Sequence, residues 1–270
     1  MGLEEIIENG VQEVKRRNVK KVLVYGDTHF PYHDERAVNI LFMYLKQYQP
    51  DIVVINGDIA DFYSISPFDK NPDHFDLQYE IDLVKEHFDK LRNVVGNKTK
   101  IYYIGDNHCT GRLQRYVYKN PELYGLEALK LENLFEFKKY KIKYIGADIG
   151  YWKKESGYLE LGDVVIMHGD RSLNGAVISK YAGYSAKNTM MSIQHSVVIN
   201  HCHRLAIVSH QQYDKIMYGI EAGCLCHKVP TANWQQGFVT FELYKNRLVN
   251  PKLHYIIDGE MVEDGKVYRG

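Results

Sequence analysis

Aspartate, asparagine and histidine recur in this chain at one kind of place, directly after short apolar runs. Lys21-Val22-Leu23-Val24-Tyr25 leads into Gly26-Asp27-Thr28-His29, and Ile52-Val53-Val54-Ile55 into Asn56-Gly57-Asp58. Ile101-Tyr102-Tyr103-Ile104 leads into Gly105-Asp106-Asn107-His108. Val164-Val165-Ile166-Met167 leads into His168-Gly169-Asp170, and Ser196-Val197-Val198-Ile199 into Asn200-His201-Cys202-His203. Apolar runs of this length read as buried strands. Open α/β sheets put their sites at the carboxyl ends of strands, where polar side chains emerge into a crevice. Oxygen and imidazole donors arriving together by five such routes are what a two-metal hydrolytic centre needs.

One histidine alone says little, because a lone histidine is more often a hydrogen-bonded structural residue than a ligand. The chain has 12, and His33, His74, His87, His195, His210, His227 and His254 are given no role. The ordered set is different: Asp-x-His and His-x-His after strands point two side chains to the same face.

The elements that position these residues are legible in outline. Leu3, Ile6, Ile7, Val11 and Val14 recur at helical spacing, which predicts a helix over the first twenty residues, laid on the body. Glu35 to Tyr48 reads as a helix bounded by Pro50, and Leu77 to Val95 as a second, stopped by Gly96-Asn97. Strand alternating with helix predicts a parallel sheet. Beyond Arg112 two short helical stretches are divided near Asn120-Pro121. From about Tyr140 onward, short runs rich in Tyr, Val and Ile read as antiparallel strands, interrupted only by Ser172 to Met191. The donors come from both halves and no linker divides them, so the 270 residues are expected to form one domain with the site between two sheets.

Composition bounds the function. Equal numbers of basic and acidic residues, 34 each, argue against a protein built mainly to coat nucleic acid, though a local basic face is compatible with the balance. The amino terminus is acidic where a secretory signal would be basic, and no apolar run approaches the ~20 residues needed to cross a bilayer. Cys109 and Cys202 sit beside candidate ligands, and Cys224-Leu225-Cys226 lacks the paired spacing of a structural zinc site. A reduced, cytoplasmic protein without membrane association is expected. Oligomeric state is left open.

Asp27-x-His29, Gly57-Asp58, Asn107-His108, His168 and His201-x-His203 together resemble the calcineurin-like metallophosphoesterase superfamily, over roughly Lys21 to Leu243. The stretches Asp58-Ile59-Ala60-Asp61-Phe62-Tyr63-Ser64 and Asn233-Trp234-Gln235-Gln236-Gly237-Phe238 are similar to phage and prophage members of it. The resemblance implies an α/β fold, a four-layer αββα sandwich of two mixed β-sheets flanked by helices. It implies one metal held by Asp27, His29, Asp58 and His203, and another by Asp58, Asn107, His168 and His201, with Asp58 bridging. The ions would be two divalent cations, Mn²⁺ first, with Fe, Zn, Ni or Mg as the alternatives. It further implies a hydroxide shared by the metals as nucleophile, and His108 as the general acid that protonates the leaving alkoxide. If the gene is phage-borne, the cytoplasm in question is the host's.

Two features depart from that family pattern. Asp106 and Asn200 stand where glycine usually precedes the Asn-His and His-x-His pairs. Asn and Asp tolerate positive φ best among residues with a side chain, so the same backbone is expected there. Cys109 replaces an acidic residue expected after His108, which removes a possible orienting partner. With Phe62 in place of an arginine after the second motif, Cys109 also counts against a protein phosphatase.

For the substrate, Arg112, Arg115, Tyr116 and Lys119 fall at helical spacing and could present flanking phosphates and a base with one basic, aromatic face. A solvated helix face is the competing reading. Arg171, Lys180 and Lys187 could form a phosphate-binding flap, with exposed helix lysines preferred. The aromatics Phe62, Tyr63, Phe68 and Phe75 could wall a groove, although aromatics in a long loop more often anchor it to the core. The sequence thus reads as a phosphodiesterase or nuclease acting on a phosphoester such as nucleic acid or a nucleotide. The alternatives are a phosphomonoesterase, or a non-catalytic metal-binding interaction protein of the same fold.

Overall fold

The computed structural model describes residues 19–74, 76–146, 157–170 and 178–270. Most of the N-terminal helix predicted over the first twenty residues, and Arg171 with it, lie outside the described residues. Val19 and Lys20, placed at the end of that helix, instead open a strand, because they find partners in Tyr244 and Leu243.

Strands β1 (Val19–Tyr25), β2 (Ile52–Ile55), β3 (Lys100–Ile104) and β4 (Ile142–Ile145) lie parallel side by side. A second sheet holds β5 (Tyr158–Leu161), β6 (Val164–Met167), β7 (Ser196–Ile199), β8 (Leu205–Gln212) and β9 (Lys215–Ala222), in the order β5-β6-β7-β9-β8. The antiparallel strands β10 (Gly237–Tyr244) and β11 (Arg247–Tyr255) return to extend the first sheet from the β1 edge. The prediction of antiparallel strands beyond Tyr140 holds for β5 with β6, β8 with β9 and β10 with β1 and β11, and needs correction for the rest. β4 joins β3 in parallel, and β6, β7 and β9 are parallel to one another. The physical reason lies in burial: β6 and β7 are buried at every residue, the signature of strands covered on both faces.

Two helices have the predicted bounds, α1 (Glu35–Tyr48) and α2 (Leu77–Val95). Each starts on an aspartate whose side chain accepts from the first turn: Asp34 from Arg36 N at 3.0 Å, and Asp76 from Tyr79 N at 2.8 Å. They are followed by α3 (Cys109–Lys119), α4 (Leu131–Leu134) and α5 (Tyr184–Ile193). Among the described residues no helix is long and apolar enough to cross a membrane.

The layering follows from the two-residue period of the strands. On β1, Leu23 and Tyr25 face a core shared with Leu41, Leu45, Val84 and Phe88 of α1 and α2. Val22 and Val24 face the opposite way, into a core with Ile166, Val198 and Ile220 of the second sheet. The outer side of the second sheet packs Met167, Val197 and Ile199 against Ala186 and Met190 of α5. Helix, sheet, sheet, helix makes the four-layer αββα sandwich. Its strands β1, β2, β3, β6 and β7 deliver the candidate donors, and both faces of each are packed, so their ends form a rigid platform.

Candidate metal centre

Beyond their last residues, β1 and β2 stay zipped together. Asp27 N donates to Gly57 O at 3.1 Å, and His29 N to Asp58 O at 3.0 Å. Within this junction Asp27 (φ 49°), His29 (φ 53°) and Asp58 (φ 49°) adopt left-handed backbone, as do His201 (φ 65°) and His203 (φ 56°) after β7. Asp and His are among the side-chained residues that tolerate this region best, yet each such residue stores of order 1–3 kcal/mol. Gly57 has φ 86°, and a Cβ there would stand 2.5 Å from His168 Nδ1. Only glycine allows the imidazole of His168 so close to the chain.

All seven predicted donors converge. His29 Nε2 and His203 Nε2 are 3.1 Å apart, and Asp27 Oδ2 is 3.8 Å from His203 Nε2. His168 Nε2 lies 3.2 Å from Asp58 Oδ2 and 3.0 Å from Asn107 Oδ1. The His168 and His201 rings meet edge to face at 5.3 Å. Asp58 stands between the sets, with His29 Nε2 3.8 Å from its Oδ2. Donor atoms of Asp27, His29 and His203 lie within 4.8 Å of one another, and so do those of Asp58, His168 and His201.

The fit to a cation can be tested on the polar atoms themselves. Among the described residues, neither of the buried Asp27 oxygens has a partner within hydrogen-bond distance. Burial pushes this carboxyl well up, against the pull of His168. His168 Nδ1 is 2.8 Å from the carbonyl oxygen of Asn56, which can only accept, so the ring hydrogen sits on Nδ1. Its Nε2 lone pair then faces two oxygens. Such an arrangement is favourable only with a proton or a cation between them. Without a cation the proton takes that place: burial would lower His168, but Asp58 outweighs it and holds the imidazole well above its usual value. Asp58, although buried, is held well below the carboxylate range by His168, His108 and His29. The oxygen and imidazole donors thus fit borderline divalent ions.

His108 flanks this arrangement. Its backbone N–H donates to Asp58 Oδ1 at 3.1 Å, and its Nε2 is 3.7 Å from Asp58 Oδ2. The loss of an acidic residue at Cys109 was expected to leave the ring without an orienting partner. Asp61 supplies one: His108 Nδ1 lies 3.0 Å from its carbonyl oxygen and 3.1 Å from its Oδ1. Asp61 Oδ1 is also 3.2 Å from His29 Nδ1, and its Oδ2 accepts from Arg112 Nη1 at 2.9 Å. Burial works to lower His108, but the Asp58 and Asp61 carboxylates prevail and raise it. Asp61 was missed in the sequence, where its signal was the spacing Asp58-x-x-Asp61.

The expected positive φ at Asp106 and Asn200 is not found; among the described residues neither has it. Both side chains are instead structural acceptors and donors. Asp106 accepts from Tyr103 Oη at 2.6 Å and Thr110 N at 3.1 Å, and burial raises its carboxyl to about 6. Asn200 accepts from Asn56 Nδ2 at 2.9 Å and donates to Gly223 O at 2.9 Å, joining the ends of three strands under the site. Cys109 is buried, exchanging contacts with Ala60 N and O.

The candidate substrate residues divide. Arg112 turns inward to Asp61, with Nη2 3.3 Å from His108 Nε2, while Arg115, Tyr116 and Lys119 are exposed on α3. Lys180 and Lys187 are exposed, each over a tyrosine ring; Lys187 lies on α5 as expected, whereas Lys180 lies in the turn before it. Phe62 is buried against Phe135 and anchors its loop, whereas Phe68 is exposed. Phe75 lies outside the described residues.

No family model matches the chain. In sequence it is similar to the Gene 54 protein of Mycobacterium phage L5, 26% identical over 267 residues that cover 92% of this chain and 98% of that protein. The Gene 54 protein of Mycobacterium phage D29 is 28% identical over 266 residues, with the same two coverages of 92% and 98%. Among solved structures, Zn²⁺-complexed wild-type Vps29 from Entamoeba histolytica matches with a TM-score of 0.46 at 13% identity, covering 93% of this chain and 98% of that one. Yfce, a phosphoesterase from E. coli, matches with a TM-score of 0.40 at 11% identity, covering 86% and 98%.

Proposed function

We propose that the chain is a two-metal phosphoester hydrolase, acting on diesters in preference to monoesters. One observation carries the reading: two donor sets meet at Asp58, and His108 stands 3.7 Å from the same carboxylate oxygen. In this reading Asp27, His29, Asp58 and His203 would hold one cation, and Asp58, Asn107, His168 and His201 the other, Mn²⁺ being the first choice. Bound there, the pair would polarise a phosphoryl oxygen and lower the pKa of a coordinated water.

The chain's own groups do the rest. The hydrogen bond from His168 Nδ1 to Asn56 O fixes the tautomer and leaves Nε2 facing inward. Asp61 fixes His108 through Nδ1, so that the opposite nitrogen carries the mobile proton toward a leaving oxygen. The Asp61 carboxylate favours the protonated ring before transfer. Arg112, anchored on Asp61, sets a cation beside His108 where a phosphate oxygen would arrive. The exposed Arg115 and Tyr116 one turn on suit a ligand longer than a single phosphate, which favours a nucleic acid or nucleotide diester. The mycobacteriophage relatives support a site of action in the cytoplasm of an infected host.

The test compares bis(p-nitrophenyl) phosphate with p-nitrophenyl phosphate on metal-stripped protein refilled with Mn²⁺. Mn²⁺-dependent cleavage of the diester, absent in Asp58→Asn, is the expected result. Cleavage of the monoester alone would overturn the diester reading, and full activity in Asp58→Asn would overturn the site. His108→Ala should slow esters with poor alkoxide leaving groups by roughly 10²–10⁴-fold, while sparing p-nitrophenolate, which needs no proton. Equal losses on both would remove His108 from the acid's role.

A further inference from the structure

On the far side of His203 from the candidate centre lies a second donor set of different chemistry. Cys224 and Cys226 follow β9 in extended backbone, bridged to Gln236 and His33 respectively. Extended chain alternates its side chains. Leu225 therefore enters the outer core with α1 and α2, and the two thiols share the opposite face, toward His203. Cys226 Sγ lies 3.8 Å from His203 Nδ1, and donor atoms of His203, Cys224 and Cys226 are within 4.8 Å of one another.

The three residues are nearly closed off from solvent: Cys224 is fully buried, Cys226 3% exposed and His203 7% exposed. The Trp234 ring meets the His203 imidazole edge-on at 4.2 Å. His203 thus has one nitrogen in each donor set, since its Nε2 is the one 3.1 Å from His29.

We propose that Cys224, Cys226 and His203 Nδ1 form a site for one thiophilic cation of the Zn²⁺, Cd²⁺ or Cu⁺ class, distinct from the oxygen-rich centre. Two sulfurs and an imidazole favour softer ions than do the carboxylate, amide and imidazole donors of the centre, which suit borderline ones. A Cys-x-Cys pair is too short to make a structural zinc site by itself, and the fold supplies the third donor from the loop after β7. A neutral imidazole offers one lone pair, so a soft ion on Nδ1 and a harder ion on Nε2 compete for His203. The site does not depend on the phosphoesterase reading.

X-ray absorption at the zinc edge tests it on the full chain, stripped of metal and then saturated with Zn²⁺, so that this site is filled whether or not the centre also takes the ion. The expected result is a sulfur shell at ~2.3 Å, lost in the Cys224→Ser/Cys226→Ser double variant. A wild-type spectrum with only nitrogen and oxygen neighbours would overturn the site whether or not the variant folds. Sulfur retained in the folded double variant would assign the ion to Cys109 or Cys202 and overturn it equally. In the metal-stripped wild type, Cd²⁺ should raise a thiolate charge-transfer absorption that the double variant lacks.

Discussion

Replacing Asp27 by asparagine should reverse the stability order of variant and wild type according to whether metal is present. Among the described residues both oxygens of Asp27 are buried and unpartnered, and its exposure is 0%. An unsatisfied buried polar group destabilises by about 1–3 kcal/mol, and a charged one by more. Asparagine keeps the shape and removes the charge. Metal-free Asp27→Asn is therefore expected to be more stable than metal-free wild type by about 1–3 kcal/mol.

With Mn²⁺ at 100 times its Kd, a site stabilises the protein holding it by about 2.7 kcal/mol. At ~2–4 °C per kcal/mol for chains of this size, wild type should gain roughly 5–10 °C in Tm for each site filled. Asp27→Asn keeps Asp58 but loses the other of the two carboxylates in its set, and its gain should be clearly smaller. Scanning calorimetry of both proteins, in chelator and in Mn²⁺, reads all four values. A metal-free variant less stable than metal-free wild type would mean that Asp27 is satisfied by the protein alone. Equal gains with Mn²⁺ would remove it from the ligand set.

Two further perturbations separate the platform from the centre. Gly57→Ala places a methyl group 2.5 Å from His168 Nδ1 at φ 86°, so a loss of at least ~1–2 kcal/mol from backbone alone is expected, with weakened Mn²⁺ binding by calorimetric titration; unchanged binding would show that His168 need not sit so close. His87 is buried 2.8 Å from Tyr25 Oη among Phe30, Phe42 and Phe88, and burial lowers its pKa to about 3. Between that value and ~6.5 the unfolded chain binds a proton that the folded one does not. The stability due to neutral His87 is thus complete above ~6.5 and is lost on acidification, by up to ~1.4 kcal/mol per pH unit. His87→Phe should flatten the fall in Tm between pH 7 and 4, and an unchanged slope would refute the assignment.

Local signals in the sequence were read correctly where local physics decides. α1 and α2 begin on aspartate caps and stop at a left-handed residue or a glycine, and their bounds were legible to the residue. The strands ahead of the candidate donors were legible because a run buried on both faces is apolar throughout. Pairing direction was legible only in part, since Val164–Met167 carries no mark that, beside its antiparallel hairpin partner Tyr158–Leu161, it takes Ser196–Ile199 as a parallel neighbour. The same limit hid Asp61, whose contacts reach His29 and Arg112 at separations of 32 and 51 residues. It also made Arg112 look like a solvent-facing partner of Arg115, when the charge of Asp61 draws it inward. Cys224 and Cys226 were set aside on spacing alone, because the donor that completes their set arrives from another loop.

Asp106 and Asn200, which depart from the pattern the motifs resemble, show where the strain is placed. Positive φ falls on the donors themselves, Asp27, His29, Asp58, His201 and His203, and not on Asp106 or Asn200. Left-handed backbone on this many side-chained residues persists only if the surroundings over-determine it. Here the surroundings are explicit. Asp27 is held on both sides, its N–H by Gly57 O at 3.1 Å and its carbonyl by Leu225 N at 3.0 Å. The Asn56 amide spans both sheets, donating to Met167 O at 2.8 Å and to Asn200 Oδ1 at 2.9 Å. Asn200 is therefore a tie that a glycine could not provide, fastening the loop of His201 and His203 to the ends of β2 and β9. A glycine in its place would leave Asn56 Nδ2 with one acceptor fewer and Gly223 O without the carboxamide donor, in a region with almost no access to water. Asn200, expected only to tolerate the backbone of a glycine, is part of what holds the donors in register.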